Sequence, residues 1–339
     1  MTESAKYHST SELDDTPPLV ADHMTDRRAP SSMHSRFKKI WLGPNGLRAG
    51  WSVLLFFAIA IGLLVASAFI ARHLFHYAAP ADVMTPGSTI VMELIMVSAV
   101  VIATKIMSLF DRKSWLDYGL RAPHRARHLV QGAFTGAALM AATMGVLVLT
   151  HGVTIAVASI GALALIKSGL LWGVAFVLVA LFEELLCRGY AFFTLASGSH
   201  AMVATILLSL LFGFAHQQNG GERLAGLVAA GLFGMVLCLS VWRTGSLWWA
   251  LGFHAAWDWS ESFVFGASDS GQVAADSWMV SHATGPTWLS GGSVGPEGSL
   301  LIFPALVVLT LVVVLTLPRN TTPWVRRFPS TTASDMLKA

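Results

Sequence analysis

The chain has 339 residues, of which 54% are hydrophobic and only 12% are charged, with a formal net charge of +3. With a mean hydropathy of +0.62, this composition lies far outside the range of soluble globular proteins and predicts an integral membrane protein that has the lipid bilayer as a partner. The small, dispersed charge gives no sign of a nucleic-acid partner, and two cysteines in apolar segments, Cys187 and Cys238, imply no disulfide framework.

Residues 1–45 are polar, rich in Ser, Thr, His and Arg, and contain no apolar run that would serve as a signal peptide. We predict a disordered, basic, cytoplasmic N-terminal arm over this segment. Residues 46–317 are predicted to form one all-α, polytopic transmembrane domain with a polar site inside the membrane. Residues 318–339 are predicted to form a cytoplasmic C-terminal tail.

Apolar runs of about twenty residues recur from Trp51 onward, and each is long enough to cross ~30 Å of hydrocarbon. They lie at about 51–71, 89–109, 130–150, 169–196, 200–217, 223–242, 245–266 and 299–317. Eight spans place both termini on one side, and Lys and Arg residues concentrate on that same side, as the positive-inside rule requires. We therefore predict eight spans with cytoplasmic N and C termini, and the short loops suit a bacterial plasma membrane.

The second and third apolar runs contain one carboxylate and one glycine pattern, and neither by itself indicates catalysis. Glu93 in the second run is predicted to lie near the outer interface, where the free-energy cost of a carboxylate is small. It could also belong to a proton relay. Gly132-x-x-x-Gly136 in the third run predicts a close contact with another helix.

The fourth run contains Glu183, Glu184 and Arg188, and charged residues inside membrane-grade sequence are costly and usually functional. On a helix, Glu184 and Arg188 share one face, whereas Glu183 is turned about 100° away. We predict a structural pair between Glu184 and Arg188 and a free, chemically active Glu183. The alternative is a helix end with snorkelling charges. We expect the helix to continue to Ser197-Gly198-Ser199, which brings Glu183 into the membrane interior.

The fifth run ends with Phe212-x-x-x-His216, and the seventh contains His254-x-x-x-Asp258. A single histidine in an apolar helix is most often a hydrogen-bonded core residue, and an Asp four residues away can simply orient it. Carboxylates and imidazoles on three separate spans are harder to explain by packing. The loop after the seventh run contains Gly291-Gly292-Ser293-Val294-Gly295, but a Gly-rich loop lacks the strand-turn-helix context of a serine hydrolase, and we reject that match.

Three patterns thus stand in order on three predicted helices: Glu183-Glu184-x-x-x-Arg188, Phe212-x-x-x-His216 and His254-x-x-x-Asp258. Together they resemble the motifs of the CPBP family, the CAAX-processing and bacteriocin-processing (Abi) intramembrane proteases. Weaker likenesses extend the resemblance over roughly residues 46–317: Arg48-Ala-Gly-Trp51, Thr244-Gly-Ser-Leu-Trp248 and Gly295-Pro-Glu-Gly298.

The resemblance implies an endopeptidase that hydrolyses a peptide bond of a membrane-associated protein or peptide, such as a prenylated CAAX protein. Its predicted catalytic residues are Glu183, Glu184, Arg188, His216, His254 and Asp258. Family members described as immunity or scaffold proteins share the motifs, so a non-catalytic membrane scaffold or bacteriocin-immunity protein is the alternative. A proton-coupled transporter is a third hypothesis, which the lack of paired, Gly/Pro-broken half-helices disfavours.

In the predicted chemistry, Glu183 is the general base for water, His216 helps to hold that water as the resemblance suggests, and His254 donates to the oxyanion. The family pattern allows Asn or Asp at the last position. Asp258 must be protonated, orient His254 or ligate a metal, and we favour a charged role because it lies one helical turn from His254. His216, His254 and Glu183 would also make a zinc site with one open position. Both a metal and a metal-free glutamate mechanism stay open.

Overall fold

The computed structural model describes residues 41–43, 46–74, 83–218 and 224–319. Most of the predicted N-terminal arm over 1–45 lies outside the described residues, as does the predicted C-terminal tail beyond Arg319.

The described residues are mainly α-helical, in agreement with the predicted all-α class. The helices are α1 (Ala49–Leu74), α2 (Pro86–Phe110), α3 (Arg125–Leu149), α4 (Ala162–Glu184), α5 (Tyr190–Gly198), α6 (Ala201–Ala215), α7 (Leu224–Thr244), α8 (Trp248–Asp258), α9 (Thr287–Ser290) and α10 (Ile302–Thr316). Two helices continue in π-helical geometry, with Leu185–Gly189 joining α4 to α5 and Trp259–Val264 extending α8. Short 3₁₀ turns lie at Trp115–Asp117, His216–Gln218 and Pro296–Gly298.

Five helical segments of the described chain are long and apolar enough to cross a membrane: Ala49–His73, Pro86–Phe110, Arg125–Leu149, Ala162–Gly198 and Leu224–Thr244. The other three predicted spans form shorter helices, since α6 and α10 have 15 residues each and α8 has 11 before its π-helical extension. A 15-residue helix is only about 22 Å long, less than the ~30 Å of hydrocarbon. The structure therefore supports five of the eight predicted spans, and the full count and the side of the termini stay predictions.

Large apolar side chains cover the outside of these helices. On α1, for example, Leu54 is 60% exposed and Val65 and Phe69 are each 63% exposed. Exposed apolar surface on this scale is an aggregation liability in water, whereas lipid tails solvate it. The chain is an integral membrane protein.

The fourth predicted span is continuous past Arg188 and ends at Gly198, as the Ser-Gly-Ser stop signal predicted. Its π-helical stretch, Leu185–Gly189, begins directly after the two glutamates. Such stretches are rare and often mark functional sites, because the wider turn re-aims the side chains that follow. Nothing in the local sequence pattern predicted this change in the helix.

Glycines let α3 pack backbone-to-backbone against α8. A Cβ atom added at Gly132 or Gly136 would lie 2.1 or 2.3 Å from a carbonyl oxygen of α8. In return, a Cβ atom at Gly252 of α8 would lie 2.1 Å from the carbonyl oxygen of Leu129. The predicted close contact at Gly132-x-x-x-Gly136 is confirmed, and it holds α8 at a fixed distance from α3.

The start of α8 is also held, by the turn Thr244-Gly-Ser-Leu-Trp248. Gly245 adopts a φ of +69°, a conformation that glycine reaches without steric cost. The Trp248 backbone N–H donates to Ser246 Oγ at 3.3 Å, and the Trp248 indole N–H donates to the Leu120 carbonyl oxygen at 2.9 Å. These bonds anchor the helix that carries His254 and Asp258.

The described chain contains three pairs of short strands, and two of these pairs hold the segment after α8. Strand β1 (Leu42–Gly43) pairs antiparallel with β2 (Gly46–Leu47), and β3 (Val83–Met84) pairs parallel with β5 (Val273–Ala274). Strand β4 (Val153–Val157) pairs antiparallel with β6 (Met279–Ala283), in a register that places Val153 opposite Ala283. The last two pairs tie residues 267–298, here called the cover loop, to the chain before α2 and after α3.

The rejected G-x-S-x-G pattern lies in this cover loop, between α9 and the 3₁₀ turn Pro296–Gly298. In the described chain, no strand precedes Ser293 directly, and α10 begins only at Ile302, after a 3₁₀ turn, so the strand-turn-helix context is absent and the rejection is confirmed.

Candidate active site

A cavity of about 770 Å³ lies between α2, α4, α6, α7, α8 and the cover loop. Glu183, His216, His254 and Asp258 all line it, so three separate helices bring these side chains to one space. Glu184 and Arg188 are fully buried behind the cavity wall. The order of the motifs along the chain thus corresponds to one convergent site, with room for water and for part of a peptide.

Arg188 and Glu184 form the ion pair that their spacing predicted. Arg188 Nη1 donates to Glu184 Oε1 at 2.6 Å, and both side chains have 0% exposure. The guanidinium carbon lies 4.4 Å from the centre of the Phe212 ring on α6, a cation–π contact. Gly234 of α7 leaves room for Arg188, because a Cβ atom there would lie 3.3 Å from Nη2. The pair therefore joins α4, α6 and α7 at the back of the cavity.

His254 lies between three carboxylates. Its Nδ1 lies 2.9 Å from Glu184 Oε1, and its Nε2 lies 3.5 Å from both Glu183 Oε2 and Asp258 Oδ2. A protonated imidazole donates from both nitrogens, and both nitrogens here face carboxylate oxygens. The Glu184 bond fixes the orientation of the ring and points Nε2 into the cavity.

Glu183 differs from Glu184 in its exposure. The Glu183 side chain is 25% exposed and lines the cavity, whereas the Glu184 side chain is 0% exposed and serves Arg188 and His254. The two adjacent carboxylates therefore have different surroundings, as their 100° separation on a helix predicted.

His216 follows α6 directly and begins its terminal 3₁₀ turn. Its Nδ1 lies 2.8 Å from the Phe212 carbonyl oxygen, so Nδ1 is the donor in this contact and Nε2 is left for another partner. The imidazole is half-buried and also contacts the Phe212 ring, with 4.6 Å between ring centres. Phe212 thus positions Arg188 through its ring and His216 through both its ring and its backbone.

Residues 165–260 match the model of a known protein family, described as type II CAAX prenyl endopeptidase Rce1-like. The matched segment contains all three motifs, from Glu183 to Asp258. The recognition from those motifs is confirmed. Neither the curated proteins nor the solved structures include a protein that matches this chain. At the family level, the Rce1-like match supports a CAAX-type intramembrane protease.

The predicted zinc ligands of this Rce1-like segment are His216, His254 and Glu183. They do not bring three donor atoms within 4.8 Å of one another; in the described part of the chain, only a trio of carboxylates outside the motifs does so. The Nδ1 atoms of both histidines also face protein oxygens already. In this arrangement the three residues do not close around one ion, and zinc binding stays a prediction.

Glu93 of α2 is a cavity residue whose position the sequence did not predict. It is 8% exposed, it lines the same cavity as Glu183, and its Oε2 atom has no hydrogen-bond partner among the described residues. The sequence predicted instead a solvated carboxylate near the outer interface, where its free-energy cost would be small. The carboxylate itself was visible in the sequence, but its burial depends on α4 and the cover loop, which come later in the chain.

The cover loop supplies two further acidic residues to the cavity wall, Asp269 and Glu297. Glu297 Oε1 accepts from the Trp257 indole N–H at 3.1 Å, and Glu297 Oε2 accepts from Ser270 Oγ at 2.9 Å. Burial, reinforced by the neighbouring Glu297 carboxylate, raises the pKa of Asp269 above its ordinary value. In the sequence, Gly295-Pro-Glu-Gly298 is only a weak family likeness, and nothing in it predicts a role for Glu297.

Proposed function

We propose that this protein is an Rce1-like intramembrane endopeptidase that hydrolyses a peptide bond of a membrane-associated protein or peptide with water activated by Glu183. One observation carries the proposal. Of the two adjacent motif glutamates, Glu184 is held by Arg188, whereas Glu183 is open to the cavity beside His254. A carboxylate placed beside an imidazole, with space for water and peptide, is what general-base hydrolysis needs.

In this mechanism Glu183 accepts a proton from a water molecule held between its carboxylate and Nε2 of His216. The resulting hydroxide attacks the carbonyl carbon of the peptide bond. Glu183 then returns the proton to the leaving amine, so that proton transfer balances over the cycle.

His254 stabilises the oxyanion of the tetrahedral intermediate through an N–H at Nε2. The Glu184 carboxylate accepts from Nδ1 at 2.9 Å and fixes the ring. We propose that Asp258 is a positioning residue: its carboxylate, 3.5 Å from Nε2, limits the tilt of the imidazole and favours its charged form.

The substrate reaches this site in or next to the membrane, because the cavity lies among apolar helices. A prenylated CAAX protein or a small apolar peptide fits this access, and a bacterial plasma membrane with cytoplasmic termini is the location that we propose for the protein. The bilayer itself is the first partner.

The alternative function is a non-catalytic scaffold or immunity protein. Its specific support is that Glu184 contacts both Arg188 and His254 and so stabilises the packing of α4 against α8. On this view the polar core serves folding alone, and Glu183 can be replaced without consequence.

The test is cleavage of a fluorogenic CAAX-type peptide by purified wild type, Glu183→Gln and Asp117→Asn in detergent. Asp117→Asn is the matched control, because it neutralises an exposed carboxylate whose ion-pair partner is Arg121 on the surface, and asparagine can still accept the Ser114 backbone N–H. We expect Glu183→Gln to melt like the wild type and to lose turnover by at least about 100-fold, while the control keeps its activity.

A chelator arm separates the two mechanisms. Loss of activity with chelator and recovery with zinc would show a metalloprotease, and unchanged activity would show the metal-free glutamate route. Full turnover by a folded Glu183→Gln protein would refute the base assignment and favour the scaffold.

A further inference from the structure

A second group of carboxylates lies where the π-helical extension of α8 meets the cover loop. Glu261, Asp269 and Glu297, here called the acidic trio, each place a carboxylate oxygen within 4.8 Å of the other two. Glu261 is fully buried, and the other two are half-buried against the cavity. None of these residues belongs to the three motifs of the candidate active site.

Glu261 is the unusual member of the trio. Both of its carboxylate oxygens are buried, and neither has a hydrogen-bond partner of normal geometry among the described residues, because the neighbouring Trp257 indole N–H donates to Glu297 Oε1 instead. Asp269 and Glu297 are better supplied, since Ser262 Oγ donates to Asp269 Oδ2 at 3.2 Å and Ser270 and Trp257 donate to Glu297. Buried polar groups nearly always have a partner, so Glu261 points to a ligand that completes this site.

The trio has no cation at ion-pairing distance among the described side chains. Within the described ranges, no Lys, Arg or His side chain forms an ion pair with any of the three carboxylates. Clustered carboxylates that are removed from water are stable only if a cation or shared protons neutralise them. Two of the three nevertheless hold hydroxyl or indole donors, which bind best to ionised oxygens.

We propose that Glu261, Asp269 and Glu297 bind a divalent cation of the calcium class. Every donor atom is a carboxylate oxygen, which hard cations prefer, and no thiolate or imidazole that would favour zinc is among them. Ca²⁺ holds its ligands at about 2.3–2.6 Å, so two oxygens on opposite sides of the ion stand up to about 5 Å apart. The spread of up to 4.8 Å in the trio suits that ion.

The serines and the cavity complete the site. Ser262 and Ser270 orient two of the carboxylates, in the way that neighbouring donors commonly orient metal ligands. Asp269 and Glu297 also line the 770 Å³ cavity, from which water can fill the remaining coordination positions.

The cation would fasten the cover loop to α8. Glu261 comes from the helix, whereas Asp269 and Glu297 come from the two ends of the cover loop. One ion therefore closes the loop at its base and holds it over the cavity. This inference does not depend on the proposed peptidase activity, because a scaffold with the same loop would bind the same ion.

The experiment uses full-length protein in detergent, freed of cations with EDTA, and measures terbium luminescence and melting temperature. Trp257 donates to Glu297 at 3.1 Å and would sensitise Tb³⁺ bound in the trio. Glu261→Gln is the test variant. Asp276→Asn is the matched control: it removes a carboxylate from the same loop outside the trio, and its φ of +55° suits asparagine.

We expect wild type and Asp276→Asn to show tryptophan-sensitised Tb³⁺ emission that Ca²⁺ displaces. Their melting temperatures should rise by about 5 °C when Ca²⁺ is present at 100 times its dissociation constant. Glu261→Gln should bind Tb³⁺ at least about 10-fold more weakly and lose the Ca²⁺-dependent rise. In EDTA, Glu261→Gln should melt at or above the wild type, because it removes a buried charge.

Two results would overturn the proposal. In the first, the wild type shows no Tb³⁺ emission and melts at the same temperature in EDTA and in Ca²⁺. This is the result expected if the trio is neutralised by shared protons. The other is a Glu261→Gln protein that keeps the full Ca²⁺ response. If Glu261→Gln does not fold, Asp269→Asn is measured against the same two criteria.

Discussion

Two groups of buried carboxylates lie along α8 and its extension, one around His254 and the other around Glu261, and they are neutralised in different ways. Around His254, Glu184 Oε1 accepts a hydrogen bond from Arg188 Nη1 at 2.6 Å and lies 2.9 Å from Nδ1 of the imidazole. Around Glu261, the partners are only hydroxyls, an indole and other carboxylates. The first group contains the Arg188 guanidinium, whereas the second has no ion-pair partner among the described residues and is the group to which we assign a bound cation.

This difference predicts opposite responses to mutation. Removing one member of a buried, self-neutralised pair leaves an uncompensated charge and destabilises the fold. Neutralising one member of an all-acidic group relieves repulsion, unless a bound cation already does so. The four predictions below test this contrast, from the largest expected effect to the smallest.

Glu184→Ala should cause the largest loss. It strands the fully buried Arg188 guanidinium and should lower the free energy of unfolding by about 3–5 kcal/mol. Folded yield and thermal melting in detergent measure the effect, with Glu184→Gln as the milder, acceptor-retaining variant. A Glu184→Ala protein that melts like the wild type would show that the two groups do not differ in this way.

Gly136→Ala should come next, because its added Cβ atom would lie 2.3 Å from a backbone carbonyl oxygen of α8. Displacing a packed helix costs about 1–3 kcal/mol, and the upper end is expected where backbone must move. Gly145→Ala on the same helix meets nothing within 4 Å and serves as the control, with a gain of up to about 1 kcal/mol.

Because α8 carries His254 and leads into Glu261, Gly136→Ala should weaken both peptide cleavage and Tb³⁺ binding. If only cleavage or only Tb³⁺ binding is weakened, the two groups do not both depend on the position of α8 against α3.

Asp258→Asn tests the residue that lies between the two groups in sequence. If the Asp258 charge orients His254, the loss of that charge should lower turnover by about 10–100-fold without a change in melting temperature. A pH–rate profile of both proteins measures this. An Asn variant with the full rate and an active range extended to higher pH would instead show that Asp258 acts as a neutral donor.

Glu93→Gln should have the smallest effect. Glu93 lines the cavity, but no hydrogen bond or ion pair joins it to His254 or Arg188 in the described chain. We expect turnover within about 10-fold of the wild type and stability unchanged or raised by about 1 kcal/mol, because the substitution removes a buried, unpaired carboxylate charge. A loss above 100-fold would place Glu93 in the catalytic machinery, where a proton relay would also use it.

Local periodicity explains the parts of the site that could be predicted. The Glu184–Arg188 pair, the different surroundings of Glu183 and the close contact at Gly132-x-x-x-Gly136 all follow from 3.6 residues per turn. The continuation of the fourth span to Gly198 follows from a stop signal within the same segment. Each of these depends on residues within one helix and needs no knowledge of its neighbours.

Span lengths were harder to predict, because hydropathy alone does not mark where a helix ends. The run at 200–217 forms a 15-residue helix that turns to 3₁₀ geometry at His216, and the run at 245–266 changes to a π-helix after Asp258. In both places, side chains of the site lie at the change in geometry. Contacts with other helices, rather than the hydrophobicity of the run, decide these boundaries.

The sequence by itself determined the membrane class, the resemblance to a protease family and the three motif helices, because composition and helical spacing are local properties. Only the tertiary structure decided that Glu93 is buried in the cavity and that Glu261, Asp269 and Glu297 meet. Those residues lie on α2, on the π-helical extension of α8 and at both ends of the cover loop, and the pairing of β3 with β5 and of β4 with β6 helps bring them together. Contacts between residues so far apart in the chain depend on packing and strand register, which no single stretch of sequence encodes.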